Sequence, residues 1–118
     1  MTTAEFPEAL SKAILHGDLD PTCMHVENVR HTLDLTTPET RLLCQQAEAD
    51  GLLRKTLQYL CPNEGCRRGI ESSPTPLPPY QELTCEVCEL DERPHTFKAG
   101  KLMVMPFYSL AEQTSPRA

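Results

Sequence analysis

Paired cysteines constrain this chain more than any other feature. Four of its six cysteines form two close pairs, Cys61 with Cys66 and Cys85 with Cys88, separated by eighteen residues. Two short loops that each present two thiolates are what a tetrahedral zinc site requires. We therefore predict one structural Zn²⁺ per chain, held by Cys61, Cys66, Cys85 and Cys88. Iron held by the same four sulfurs is the competing metal, disulfide pairing is the competing covalent arrangement, and His95 is a reserve ligand.

The composition favours a small core that needs such a metal. Only 5% of the 118 residues are aromatic, tryptophan is absent, and there are eleven prolines. A chain of this size with so little bulky apolar material gains from a metal that ties its loops together. The formal net charge of −6 also disfavours nonspecific binding to phosphate backbones.

The N-terminal segment and the hydropathy indicate a cytoplasmic location. The first six residues, MTTAEF, contain neither a basic segment nor an apolar one, so we expect no signal peptide. No apolar run approaches membrane-spanning length, so we expect no membrane partner. In a reducing compartment, paired cysteines act as metal ligands before they form disulfides.

Apolar spacing predicts three helices and a strand in the first half of the chain. The helices are expected at residues 7–16, 21–33 and 37–50, with Cys23 and Cys44 as thiols on their buried faces. The expected apolar faces are Phe6, Leu10, Ala13 and Ile14 in the first helix, Val26, Val29 and Leu33 in the second, and Leu43 and Ala47 in the third. Thr36 and Glu39 match a capping box at the start of the third helix. After Gly51 the apolar residues alternate, which predicts a strand that runs to Cys61.

The second half is predicted as loops and short strands. Four prolines among residues 74–79 make that segment a stiff, extended loop. Residues 95–97 and 102–105 are predicted as two strands, joined by a hairpin turn at 98–101. Residues 111–118 are polar and are predicted as a flexible tail.

The first half resembles the winged helix-turn-helix superfamily. The resemblance is carried by a tight turn with Thr36 between the second and third helices, by Gly51-Leu52-Leu53 and the strand that follows, and by apolar positions in the helices and in that turn. Those positions are Val29, Leu33, Leu35, Leu43 and Ala47. The resemblance implies a three-helix, winged-helix-like domain over residues 1–60.

The second half resembles a zinc ribbon. The segment Tyr59-Leu60-Cys61-Pro62 is similar to the strand and Cys-Pro knuckle that open such a module, although the first pair has four intervening residues where ribbon knuckles usually have two. The order of the two parts is similar to the alpha subunit of general transcription factor E. The resemblance implies an α+β fold in which residues 61–110 form a small antiparallel zinc-ribbon-like module.

A closed four-thiolate site has no open position for chemistry, and no acid–base or nucleophile arrangement is visible. We therefore predict a non-enzymatic, zinc-stabilised adaptor that docks on a partner protein, without catalytic residues or a small-molecule substrate. One alternative is a small DNA-binding transcription regulator that uses the third helix. Another is a zinc-dependent accessory protein of an enzyme or of a protein-conjugation system.

The DNA-binding alternative depends on a small set of polar and basic residues. Side chains on the third helix would contact base edges, and two basic doublets would contact phosphates. The candidate contacts are Arg41, Gln45, Gln46, Arg54, Lys55, Arg67 and Arg68. Glu39, Glu48 and Asp50 on the same helix oppose this alternative, because they would face phosphates.

Overall fold

The computed structural model describes residues 1–111, which form a mixed α+β chain. Within these residues the helices are α1 (Phe6–Leu15), α2 (Val26–Leu33), α3 (Thr37–Ala49) and α4 (Glu86–Leu90). The strands are β1 (Leu53–Leu60), β2 (Gly69–Ser73), β3 (Glu82–Thr84), β4 (Thr96–Lys98) and β5 (Val104–Leu110). The predicted α+β class with small antiparallel sheets is confirmed. Apart from Ala111, the predicted flexible tail lies outside the described residues.

The chain divides into two compact units. One comprises Met1–Lys55 and the described residues from Phe107 to Ala111, and the other is Thr56–Pro106. The second unit is therefore inserted in sequence between the two parts of the first, whereas the predicted domains, 1–60 and 61–110, divide the chain at one point. In the described part of the chain, β2, β1 and β5 form one sheet in that order, and β3 pairs with β4 in another.

The core of the first unit follows from the spacing of apolar residues in the helices. Phe6, Leu10 and Ala13 repeat at helical intervals, and all three are buried on one face of α1. They share a core with Val29 of α2 and Leu43 of α3. The predicted apolar faces of the first and third helices are thus confirmed.

The predicted start of the second helix at Pro21 is wrong, because α2 begins at Val26. The Asp20 carboxylate accepts hydrogen bonds from the Thr22 backbone N–H (2.9 Å) and hydroxyl (2.7 Å), which forms a turn. Met24 and Tyr108 then exchange two backbone hydrogen bonds of 2.7 Å. Backbone groups used in a turn and a β-bridge cannot enter a helix.

The predicted boundaries of the third helix are confirmed. The Thr36 hydroxyl accepts a hydrogen bond from the Glu39 backbone N–H (3.3 Å), and Gly51 follows the helix with φ +80°. The Met1 ammonium donates to the Glu39 carboxylate (3.0 Å) and lowers the pKa of Glu39, and a hydrogen bond from the Thr36 backbone N–H, which a capping box requires, adds to this effect. The buried Thr40 hydroxyl adds a 2.7 Å bond to the Thr36 carbonyl.

We expect Thr36→Ala to destabilise the first unit by about 1 kcal/mol, because it leaves an N–H at the start of α3 without its acceptor. Thr36→Ser keeps the hydroxyl and should restore most of that stability. Urea unfolding followed by helical circular dichroism measures the difference. Equal stability of the two variants would show that the hydroxyl does not act as a cap.

The predicted hairpin between residues 95–97 and 102–105 is wrong, because β4 pairs with β3. The register places Leu83 opposite Phe97 and Glu82 opposite Lys98. Ala99–Lys101 forms a 3₁₀ turn whose Ala99 N–H donates to the Gln81 carbonyl (2.8 Å). The Gly100 N–H donates to the Pro79 carbonyl (2.9 Å), so this turn is bonded to the proline-rich segment and does not close a hairpin with β5.

The proline-rich segment is held against the core of the second unit by a side chain from β1. The Tyr59 hydroxyl accepts a 2.8 Å hydrogen bond from the Leu77 N–H. Tyr59 is buried with Leu83, Ala99 and Leu102 in a small apolar cluster. A core of four buried residues gives the second unit little apolar burial of its own.

Candidate metal centre

The structure brings together the four cysteines of the predicted site. The sulfur atoms of Cys61, Cys66, Cys85 and Cys88 all lie within 4.8 Å of one another. The Sγ atoms of Cys61 and Cys88 are 3.7 Å apart, as are those of Cys66 and Cys85. Cys66 is half-buried, whereas the other three are at most 1% exposed. These residues are positioned to bind a metal ion.

The sulfur spacing fits a single tetrahedral metal. Zinc–sulfur bonds of about 2.3 Å in a tetrahedron place neighbouring sulfurs about 3.8 Å apart. The two 3.7 Å separations are close to that spacing and far too long for a disulfide bond. All six cysteines are free thiols. A metal at the centre of this group would have four sulfur ligands and no open position.

The first cysteine pair lies on a loop that closes the hairpin between β1 and β2. The Cys61 N–H donates to the Arg68 carbonyl (2.7 Å), and the Cys66 N–H donates to the Asn63 carbonyl (3.0 Å). Gly65 and Arg67, on either side of Cys66, adopt φ values of +84° and +55°. These left-handed conformations turn the chain sharply, so four intervening residues still place both sulfurs at one point.

Hydrogen bonds from backbone N–H groups lower the pKa of the thiols in this loop, whereas burial raises it. A hydrogen bond from the Arg68 N–H lowers the pKa of Cys66 to about 7, so this thiol ionises readily. Burial raises the pKa of Cys61 to about 12, although the Asn63 N–H partly offsets this effect. Four clustered thiolates would repel one another, and a divalent cation at their centre would provide the compensating charge.

The second cysteine pair lies on a single turn of helix. Cys85 immediately precedes α4, and Cys88 lies within it. The Cys85 N–H donates to the His95 carbonyl (2.8 Å), and the Arg93 N–H donates to the Cys88 carbonyl (2.9 Å). The chain reverses at Glu92, which has φ +58°. Two intervening residues in a helical turn place both sulfurs on the same side.

Two side-chain hydrogen bonds join the two cysteine loops. The Asn63 amide donates to the Pro94 carbonyl (2.6 Å), and the Arg93 guanidinium donates to the Glu64 carbonyl (2.8 Å). Each bond fixes the backbone of one loop against the other. Neither Asn63 nor Arg93 is among the site residues predicted from the sequence. The sequence signal that could have identified them is a polar side chain close to each cysteine pair.

His95 lies near the centre but is not part of the four-sulfur group. Its imidazole Nδ1 is 2.9 Å from the Arg93 carbonyl oxygen, which can only accept, so Nδ1 carries the proton. The backbone carbonyl of His95 accepts from Cys85. In this position His95 supports the second loop through its hydrogen bonds.

The candidate nucleic-acid contacts are divided between the two units. Arg41, Gln45 and Gln46 are exposed on α3, and Arg54 is exposed on β1 beside the half-buried Lys55. Arg67 and Arg68 are exposed in the second unit. The Gln46 amide donates to the Asp50 carboxylate (3.0 Å). This hydrogen bond uses an amide that base recognition would require.

The two remaining cysteines differ in burial. Cys44 faces the core as predicted, and burial raises its pKa to about 11, which makes it a poor nucleophile at neutral pH. The prediction that Cys23 lies on a buried helix face is wrong. It lies in the exposed turn before α2, with its sulfur 3.8 Å from the Nε2 atom of His25.

Comparison of the whole chain with protein-family models, curated proteins and solved structures gave no match. Across residues 1–111, none of the helices combines the length and the apolar character needed to cross a bilayer.

Proposed function

We propose that this protein is a non-enzymatic interaction module, stabilised by one structural Zn²⁺, which docks on a partner protein in the cytoplasm. The observation that carries the proposal is the closed group of four cysteine sulfurs within 4.8 Å of one another. A metal with four protein ligands has no position for a substrate or a reactive water. The metal then contributes folding free energy, and the function belongs to the surface that it stabilises.

Zinc is our choice of metal because a structural site needs a stable ion without redox chemistry. Four thiolates in a tetrahedral arrangement are a common zinc ligand set, and they also suit iron. A reducing cytoplasm would keep the thiols available as ligands. Elemental analysis distinguishes the two metals directly.

We also propose that the first unit is winged-helix-like and that the zinc-ribbon-like unit occupies the place of its wing in the chain. A normal wing is a hairpin whose second strand returns to the domain. Here β1 leaves the first unit, residues 56–106 follow, and β5 returns at Phe107. Tyr108 in that returning segment pairs with Met24, between α1 and α2.

The surface of α3 supports a protein partner more than DNA. Leu42 is 67% exposed on this helix, in the middle of the positions that would contact bases. Glu48 and Asp50 are also exposed there, and the chain has a net charge of −6. An exposed leucine among acidic residues suits a protein surface, while phosphate contacts require cations. A partner that is an enzyme, or a component of a protein-conjugation system, would make this protein an accessory protein of that enzyme or system.

Metal content and DNA affinity test this function together. We expect about one zinc per chain in native protein by elemental analysis, as for a single four-thiolate site. We expect no tight binding in titrations with random duplex DNA at low and moderate salt, because the surface offers few cations for phosphates. Zinc near zero would overturn the metal assignment. Tight, steeply salt-dependent binding that Arg41→Ala weakens would instead identify the DNA-binding regulator.

A further inference from the structure

The second unit contains an open cleft of about 600 Å³ beside the cysteine cluster. Residues of β2 and β3 line it, together with the first residues of α4. Cys85 belongs to the lining, so a ligand of the metal centre forms part of the cleft wall. The cleft therefore adjoins the candidate metal centre.

The two strands that line the cleft belong to separate sheets. β2 and β3 approach each other with Cα atoms within 8 Å, but β2 pairs with β1 and β3 pairs with β4. Among the strands that the structure describes, β2 and β3 each have one hydrogen-bonded neighbour. Each strand therefore retains an edge that can accept another strand.

The backbone bonds of β3 show which of its groups remain available. The Cys85 N–H donates to His95, and the Ala99 N–H donates to Gln81. Hydrogen-bonded and non-hydrogen-bonded residue pairs alternate along an antiparallel ladder. Because Gln81 and Cys85 belong to hydrogen-bonded pairs, Glu82 and Thr84 belong to the other kind, and their N–H and C=O groups point away from β4. Both residues line the cleft. These are the groups that an added strand would use.

The charges of the residues that line the cleft indicate which kind of partner it would bind. Its carboxylates belong to Glu71, Glu82, Glu86 and Glu89, and Arg68 is the one cation among the described lining residues. None of the ion pairs within residues 1–111 involves any of the four glutamates. Unpaired carboxylates repel anionic partners and favour lysine or arginine.

We propose that this cleft binds an extended, lysine- or arginine-bearing segment of the partner protein, which adds as a strand along the open edge of β3. The segment would form main-chain hydrogen bonds with Glu82 and Thr84. Alternate side chains would then reach the carboxylates, while the others contact Ile70 and Val87. This proposal rests on the proposed function and specifies the chemistry of the partner.

A library of short random peptides, displayed on phage and selected on zinc-loaded protein, tests the proposal. We expect enrichment of lysine or arginine at alternate positions. The double variant Glu82→Gln/Glu86→Gln should weaken binding of a selected synthetic peptide by about tenfold or more, since it removes two charge-assisted contacts. The matched control Glu48→Gln, on α3, should leave the affinity unchanged. Zinc content and circular dichroism confirm that each variant is folded.

N-methylation of alternate peptide nitrogens tests strand addition separately from charge. Methylation of the nitrogens on the peptide edge that faces β3 should abolish binding, whereas methylation on the opposite edge of the peptide should be tolerated. Equal binding by the two methylated peptides would overturn the proposal, as would selection of acidic peptides or failure to select any peptide. If binding depends on Leu42 instead of the cleft, the protein remains an interaction module but its site is α3. Failure of the proposed function itself would appear as missing zinc or tight DNA binding.

Discussion

We expect Cys85→Ser to unfold residues 56–106 while α1, α2 and α3 remain helical. Cys85 is 1% exposed, and its sulfur is 3.7 Å from that of Cys66, so serine removes one of the four clustered sulfurs. Structural zinc contributes about 10–16 kcal/mol in small zinc domains, which equals or exceeds the stability of a typical domain. The small apolar cluster around Tyr59 and Leu83 cannot replace that contribution.

Hydrogen exchange measured by mass spectrometry resolves this effect along the chain. Peptides from 56–106 should lose protection in Cys85→Ser, and in the native protein after addition of a strong chelator. Peptides from α1 and α3 should keep it, because their core contains none of the four clustered cysteines. Cys23→Ser is the matched control, since Cys23 is exposed and outside the cluster. Unchanged protection of 56–106 in Cys85→Ser would refute a structural role for the metal.

The features that could be predicted from sequence are those set by local chemistry. The two cysteine pairs were recognisable because ligand type and spacing define a metal site almost independently of the fold. The helical repeat of Phe6, Leu10 and Ala13 identified α1, and Thr36 identified the start of α3. In each case the decisive residues lie within a few positions of one another.

The features that were missed depend on partners distant in the chain. Met24 is extended because Tyr108 pairs with it, although the local sequence suits a helix. β3 spans three residues after a run of prolines, and its partner β4 was assigned to another hairpin. Tertiary pairing overrides local preference in both places.

The same reasoning explains what could be predicted about the site. The four clustered cysteines could be identified in advance, but the bonds of Asn63 to Pro94 and of Arg93 to Glu64 could not, because each joins residues about thirty positions apart. The acidic cleft also could not be predicted. It exists because two short strands from separate sheets approach each other.

The second large effect is expected in the first unit, where Phe6→Ala should destabilise the fold by about 3–5 kcal/mol. Phe6 is 1% exposed, and it lines a cavity of about 130 Å³ with Leu43, Ala47 and Leu52. Removing the ring adds to a space that already exists between α1 and α3. The neighbouring side chains are part of the same core and cannot all move to fill it.

Leu15→Ala on the same helix is the matched control, because Leu15 is 83% exposed. Its effect should stay within about 0.5 kcal/mol, as for surface substitutions generally. Urea unfolding followed by helical circular dichroism compares the two variants in zinc-loaded protein, so that the metal centre is intact in both. A cost for Phe6→Ala no larger than that for Leu15→Ala would mean that α1 is not packed on this core. A large cost for Phe6→Ala with unchanged zinc content would show that the helical core is stabilised by its own packing, independently of the cysteine cluster.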